Sequence, residues 1–548
     1  MNYKTQQNFN LQATATIAER SKTAYRALQI CSSVYFLGML LLGIDRHWSF
    51  KTSINDTGAF SQAIWSILNN GAPMVTMGSS EPYHWFGVHF HPWLYLYALL
   101  YKIYPGPEWL ILTQSLAIAS TALPIYKTGL RLGYTHWQSF SWALGFLLNP
   151  FVLSAAQWDF HPVTAATPFI AWSLYFLLAN DFRRLLSCVL IVLSCQEQFG
   201  ILTICLGLSY FIVNKDIKKS LFLVGLGALY TVILFQYAFP KFSPTGAHVM
   251  MSAQNAAANR YHWLGGSLDE ICMHLLTSPL EILKKVFLEM EGFQYIIFLL
   301  LPYGLFLPLL GFDILLIGSA DFAANALSLL DLQRSMNSYH SVALIPIVLI
   351  AGMRGFQVFC RTVSQSIGKQ TAVLAAFVPV LFFSFCLPHL LGQDSFWKLN
   401  LIPAKDPKLA ELQKRLPAQA VLSAQANIGS HFSQRQSIYI FPKNIPKADA
   451  VILRLEDPDG SLNENTIRFG HYMLMQPNDY LSAIQCVLDS GVYRIGYFNP
   501  PWLLLLKTTD AVTDSQRLLL AKHLKSLANR WHSQSDPITG DACRWAQR

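Results

Sequence analysis

Apolar residues in this chain fall in long unbroken blocks separated by short polar connections. A soluble domain would instead show stripes at a helical or strand period. A membrane-crossing helix needs about 20 apolar residues. Blocks of that kind lie at 28–44, 108–128, 137–156, 163–180, 184–196, 199–214, 220–239, 293–310, 312–330, 341–358 and 371–391, which predicts eleven spans. The apolar segment 91–104, HPWLYLYALLYKIY, is too short to cross and stops at Pro105-Gly106-Pro107. Its Tyr and Trp content predicts a helix lying in the membrane interface. A second juxtamembrane helix is predicted over 58–69, where Phe60, Ile64, Ile67 and Leu68 form one stripe that Asn69-Asn70-Gly71 ends.

The connection 240–291 opens with the Pro/Gly/Ser-rich piece FPKFSPTGAH and continues through SAQNAAANRYHWLGG. Such a composition buries little apolar surface, so 240–270 is expected to be a mobile cover beside a site, and 270–290 an amphipathic helix. From about residue 392 the blocks give way to short alternating runs. Strands are predicted at 420–424, 437–441, 450–455, 492–497 and 503–507, with helices at 480–489 and 515–531. The predicted organisation is a cytoplasmic tail (1–27), a transmembrane domain (28–391) and an outward-facing α/β domain (392–548). The fold class is thus a polytopic α-helical membrane protein with juxtamembrane helices and a small C-terminal α/β domain. That domain contains no phosphate-binding Gly motif and no nucleophile elbow.

Composition agrees with the pattern. Of 548 residues 53% are hydrophobic and 13% charged, where a soluble chain carries roughly 25% charged residues. The net charge of +9 is explained by loops that orient the chain, so nucleic acid is not an expected partner. Basic residues recur in every second connection: Lys4, Arg20, Lys22 and Arg26, then Lys127 and Arg131, Arg183 and Arg184, Lys215, Lys218 and Lys219, then Arg354, Arg361 and Lys369. Only the turn near Gly311 lacks them. The N-terminus is therefore expected in the cytoplasm and the C-terminus outside. The first membrane helix is expected to serve as an uncleaved signal. The nine cysteines show no metal-binding spacing and read as small buried residues.

Against this topology, the ionisable residues beside the apolar blocks share the outer side. They are Asp56, His89 and His91, Asp159 and His161, Glu197, and Arg334 with Tyr339 and His340. Charge so close to hydrocarbon is costly and points to function or pairing. One outward-opening cavity is the expectation, with Asp56 within about 20 Å of Glu197, the scale at which catalytic groups cooperate. Each residue also has a structural alternative. Asp56 and Glu197 stand where helix caps stand. Asp159 and His161 have the spacing of a satisfied pair. His89 and His91 share a face if extended, which suits a metal, but a third ligand is missing from the pattern. Cofactor identity is left open, with a divalent metal as the candidate.

Several stretches together resemble a known family: DTGAFSQAIW, HFHPWLYLYALLYKIYPGPEWLILTQSLAIASTALPIYKTGLRLG, NPFVLSAAQWDFHP, CQEQFG, SYHSVALIPIVL and VLSAQANIGSHFSQRQSIYIFP. They resemble the bacterial membrane family called domain of unknown function 2079, over nearly the whole chain. That family in turn is similar in architecture to the C-type (GT-C) glycosyltransferases. The resemblance implies a carboxylate in the first outer loop, matched here by Asp56, and a polyprenyl-phosphate sugar as donor. The acceptor would be a glycan, lipid or protein of unknown identity, and the site would lie on the periplasmic face of an inner membrane. Asp56 lacks the neighbouring acidic residue many such enzymes carry, and Gln196 stands before Glu197 where the family usually has Lys. In this chemistry Asp56, Asp159 and Glu197 are the candidate acid–base groups. His89, His91, His161, Arg334, Tyr339 and His340, with Arg260 or His262, would bind donor and phosphate. Two other functions fit the same residues: a non-catalytic glycolipid-binding envelope protein, and a transporter or flippase. Transporters place their sites near the midplane, not at one face.

Overall fold

The computed structural model describes residues 3–77, 79, 81–249, 251, 259–363, 403–457, 473–507 and 514–531. They divide into two compact units that do not follow chain order. Unit 1 combines Met1–Leu42, Phe86–Trp93 and Ile111–Leu399; unit 2 combines Gly43–Trp85, Leu94–Leu110 and Asn400–Arg548.

Unit 1 is helical. Among the described residues of the whole chain, five helices are long and apolar enough to cross a membrane: Ser21–Trp48, Glu108–Arg131, Pro162–Ala179, Ile217–Phe242 and Leu344–Arg361. Two bent pairs raise the number to seven, His136–Leu147 with Pro150–Gln157 (51°) and Pro279–Phe287 with Met290–Tyr303 (65°). Asn149 caps the second half of the first pair through its side chain, and Pro150 begins it, so the block 137–156 cannot run straight. The blocks 184–196 and 199–214 fold as the shorter helices Phe182–Leu193 and Phe199–Asn214. The block 312–330 breaks into Phe312–Leu315, Leu316–Gly318 and Ser319–Ala326. The predicted span 371–391 lies outside the described residues.

The helix Ile217–Ile233 exposes Leu221, Phe222, Leu229 and Val232 and turns Ser220, Leu223 and Gly227 inward. Ser220 Oγ donates to the Gly207 carbonyl at 2.8 Å, and a methyl group on Gly227 would lie 2.5 Å from the Gly200 carbonyl oxygen. Small residues thus let this helix lie directly against Phe199–Asn214, as helices in lipid do.

Unit 2 contains a five-stranded sheet and a two-stranded ladder, β1 (Met74–Val75) with β2 (Tyr83–His84). The sheet strands are β3 (Leu422–Ala424), β4 (Ile438–Ile440), β5 (Ala450–Arg454), β6 (Tyr493–Asn499) and β7 (Trp502–Lys507). Their order is β4-β3-β5-β7-β6, parallel across the first three and antiparallel across the rest. The first-loop segment is hydrogen-bonded to the β4 edge of this sheet through side chains. Thr76 Oγ1 donates to the Ile438 carbonyl (2.7 Å) and accepts from the Ile438 amide (2.9 Å). Gln62 Nε2 donates to Thr76 Oγ1 and to the carbonyls of Arg435 and Gln436. The helix Ala59–Asn70 ends at Gly71 (φ 77°), and its stripe of Phe60, Ile64 and Ile67 is buried by protein. The helix Leu94–Ile103 instead leaves Tyr95, Leu96, Leu99 and Ile103 exposed, the surface an interfacial helix offers to lipid. Cys486, expected as a free buried thiol, is disulfide-bonded.

Candidate functional site

The site begins with the tripeptide His89-Phe90-His91, which follows a short 3₁₀ turn, Trp85–Gly87. The tripeptide carries no helix or strand hydrogen bonds, so both imidazoles turn to one side and stack, centroids 5.2 Å apart at 14°. Gly87 allows the segment to sit hard against Phe239–Phe242: a methyl group there would lie 2.6 Å from the Phe242 carbonyl oxygen. That contact also brings in His248, whose ring rests in a slot made by Phe235 (5.9 Å, stacked) and Phe239 (4.6 Å, edge-on).

Glu197 lies at the centre of this group, between the helices Phe182–Leu193 and Phe199–Asn214. Its Oε1 meets His89 Nδ1 at 2.8 Å and His248 Nε2 at 3.4 Å, and its Oε2 accepts from the Phe90 amide at 3.1 Å. Glu197, His91 and His248 are each under a tenth exposed. Burial by itself would raise the carboxyl, but the charge of His89 and the hydrogen bonds from His248 and His89 outweigh it and hold Glu197 well below the ordinary carboxylate range. Burial, reinforced by the charge of His89, holds His91 far below the ordinary imidazole range, so it is neutral. His89, His91 and Glu197 also form a potential metal-ligating group, each offering one ligand atom, all within 4.8 Å of one another.

A cavity of about 150 Å³ opens beside this cluster, lined by His89, Glu197, Gln198, His248, Arg260, Asp321 and His340 among others. Asp321 is 2% exposed; its Oδ1 accepts from Gln198 Nε2 at 3.0 Å, while its Oδ2 has no hydrogen-bond partner among the described residues. The Arg260 carbonyl accepts from the Leu329 amide at 2.9 Å, while its guanidinium has no hydrogen-bond or ion-pair partner among the described residues. His340 is held neutral by burial and by the charge of Arg260; its Nδ1 meets Ser338 Oγ at 3.2 Å and its Nε2 has no partner among the described residues. The cavity wall is fixed by buried amides: Asn325 Nδ2 donates to Tyr295 Oη (3.1 Å), and Tyr261 Oη donates to the Ala324 carbonyl (2.9 Å).

The structure thus brings together His89, His91, Glu197, Tyr339 and His340 from the sequence-derived set. Tyr339 stacks between His161 (3.4 Å) and His340 (4.1 Å). His161 Nδ1 meets the Asp159 backbone carbonyl at 2.9 Å, so this pair joins through the main chain. Gln114 positions that turn, donating to the carbonyls of Ala155 and Trp158 and accepting from the His161 amide and Thr164 Oγ1. Arg334 lies elsewhere: it pairs with Asp331 at 2.6 Å and lines a separate hollow with Glu291 and Asn337. His262 Nδ1 meets the Asn259 carbonyl at 3.2 Å. Asp56 belongs to unit 2, in a π-helical turn Ile54–Gly58 whose N-cap is Ser53. Residues 250 and 252–258, within the stretch expected to form a cover, lie outside the described residues. Sequence reasoning missed Asp321, His248 and Gln198. A carboxylate deep in an apolar block, where 312–330 carries Asp313 and Asp321, was the available signal for the first.

The family model described as predicted membrane protein (DUF2079) matches residues 46–470. The chain belongs to this family. As the family description and the apolar helices agree, it is a multi-pass membrane protein. The family match takes in residues of both units, including every residue of the cluster and cavity. No curated protein matches the chain. Among solved structures it is similar to ArnT from Cupriavidus metallidurans bound to undecaprenyl phosphate, with TM-score 0.45, 11% identity, and coverage of 89% of this chain and 98% of that one. The apo state of the same protein gives TM-score 0.44 with the same identity and coverage.

Proposed function

We propose that this protein transfers a sugar from a polyprenyl-phosphate donor to an acceptor hydroxyl on the outer face of the inner membrane. The observation that carries this reading is the cavity of unit 1. In an otherwise apolar body it combines a carboxylate oxygen (Asp321 Oδ2), a guanidinium (Arg260) and an imidazole nitrogen (His340 Nε2), none of which has a hydrogen-bond partner among the described residues. Glycosyl transfer from a phosphate needs these two functions, a base and an electrophilic cradle. The acceptor oxygen attacks the anomeric carbon, and the bond from that carbon to the phosphate oxygen breaks, its electron pair leaving with the phosphate. The acceptor proton passes to Asp321. Arg260 and the His340 N–H meet the phosphate as its charge grows, in a setting that excludes most water. Glu197 already accepts from three groups, so its role in this scheme is a fixed anion that holds the histidines. A donor with a water-insoluble tail accounts for a site carried by membrane helices.

Asp56 is a second proposed base, because a π-helical turn around a lone carboxylate is rare outside functional sites. The test is lipid analysis of a strain lacking the protein. Accumulation of a polyprenyl-phosphate sugar, reversed by the wild-type chain and not by Asp321→Asn, is the expected result. Unchanged lipids would reject transfer, and full reversal by Asp321→Asn would remove that residue from it. Donor binding without turnover by the purified protein would favour the non-catalytic reading instead.

A further inference from the structure

We propose that His89, His91 and Glu197 form a binding site for a zinc-class divalent cation. The third ligand absent from the His-Phe-His pattern is supplied by Glu197, which arrives from a connection more than a hundred residues later in the chain. The donor set is two imidazole nitrogens and one carboxylate oxygen, with their atoms within 4.8 Å of one another. Ligands at about 2.0–2.2 Å from a common ion sit no more than ~4.3 Å apart, so small ring rotations suffice to close the set. Nitrogen-rich donors favour zinc and its first-row neighbours over magnesium or calcium, which prefer oxygen throughout.

The surroundings match a metal centre in two further respects. Glu197 is oriented from outside the set, by the Phe90 amide at 3.1 Å and by His248 Nε2 at 3.4 Å, as ligating carboxylates commonly are. Three protein ligands leave a coordination position open, and His89 and Glu197 both line the cavity that holds Arg260 and Asp321. Three ligands with an open position is the arrangement of reactive zinc sites, whereas structural ones close with four. The cation would add positive charge to a wall that already presents a guanidinium, which suits an anionic phosphate group. The binding proposal stands without the transfer reading, because it concerns the ligands alone.

Cobalt(II) is the probe. Full-length protein, purified in detergent and stripped with a chelator, should take up one equivalent and develop visible d–d absorption that added zinc abolishes. His91→Asn and Glu197→Gln should each weaken binding 100-fold or more. His248→Asn, which removes only a supporting hydrogen bond, should weaken it by about 10–100-fold. Thermal unfolding of each variant identifies any that fails to fold, and the ligand position still folded then decides. No stoichiometric uptake by the wild type, or an unaltered spectrum in the folded ligand variants, overturns the site. Metal binding without sugar transfer would leave this site standing and reject the transfer reading; transfer by stripped protein that binds no cobalt would do the reverse.

Discussion

Asp321 carries the clearest consequence at the scale of single residues. In transfer assays Asp321→Asn should cost roughly 100-fold or more, the scale of a lost general base. Asp56→Asn gives a second, separate outcome. Ser53, not Asp56, caps the turn Ile54–Gly58, so stability should move by less than ~0.5 kcal/mol. A transfer loss of about 100-fold would mark it as a base, and full activity would remove it. The histidines and Glu197 were legible in the sequence because polar groups beside apolar blocks stand out. Asp321 and His248 were not. One lies within a block read for its length, and the other owes its place to Phe235 and Phe239 on a different segment.

At the scale of elements, close backbone approach decides what the helices and loops can carry. Gly87 meets the Phe242 carbonyl and Gly227 meets the Gly200 carbonyl, each with no room for a methyl group. Gly87→Val should push the His89–His91 segment away from His248, abolishing metal uptake and transfer with about 1–3 kcal/mol of overpacking cost. Gly227→Leu should wedge Ile217–Ile233 off Phe199–Asn214, lowering the melting temperature without removing any polar group of the cavity. Melting curves and cobalt titration of the two variants separate these effects. Helix positions were readable because a block's apolar length is local information. The breaks at Asn149-Pro150 and in 312–330 were hidden, since hydropathy averaged over a window hides one capping side chain or one buried carboxylate. The strands β3 to β7 of unit 2 fell where short alternation predicted them, while β1 and β2 were not predicted. The union of the first loop with their sheet did not show, because Thr76 and Ile438 pair across 362 residues and no local pattern records that.

For the whole molecule, orientation is the open property that Cys486 helps to test. Disulfides persist in oxidising compartments, so the bond at Cys486 fits an exported unit 2. In denatured protein taken directly from cells, Cys486 should resist maleimide until a reductant is added; immediate labelling would argue for a cytoplasmic location. An alkaline-phosphatase fusion after residue 507 should be active on the same reading. The pairing of Thr76 with Ile438 also sets a clock. A ribosome adding about 5–20 residues per second takes about 20–70 s to travel between those two positions. During that interval Gln62 and Thr76 have emerged while the segment Arg435–Ile438 that they bond does not yet exist. The young chain thus spends most of its synthesis with these polar groups waiting for their partners, and its survival depends on whatever shields them meanwhile. Nascent chains arrested before residue 420 should be cut by added protease within Gly43–Trp85, and chains released after residue 507 should resist the same treatment.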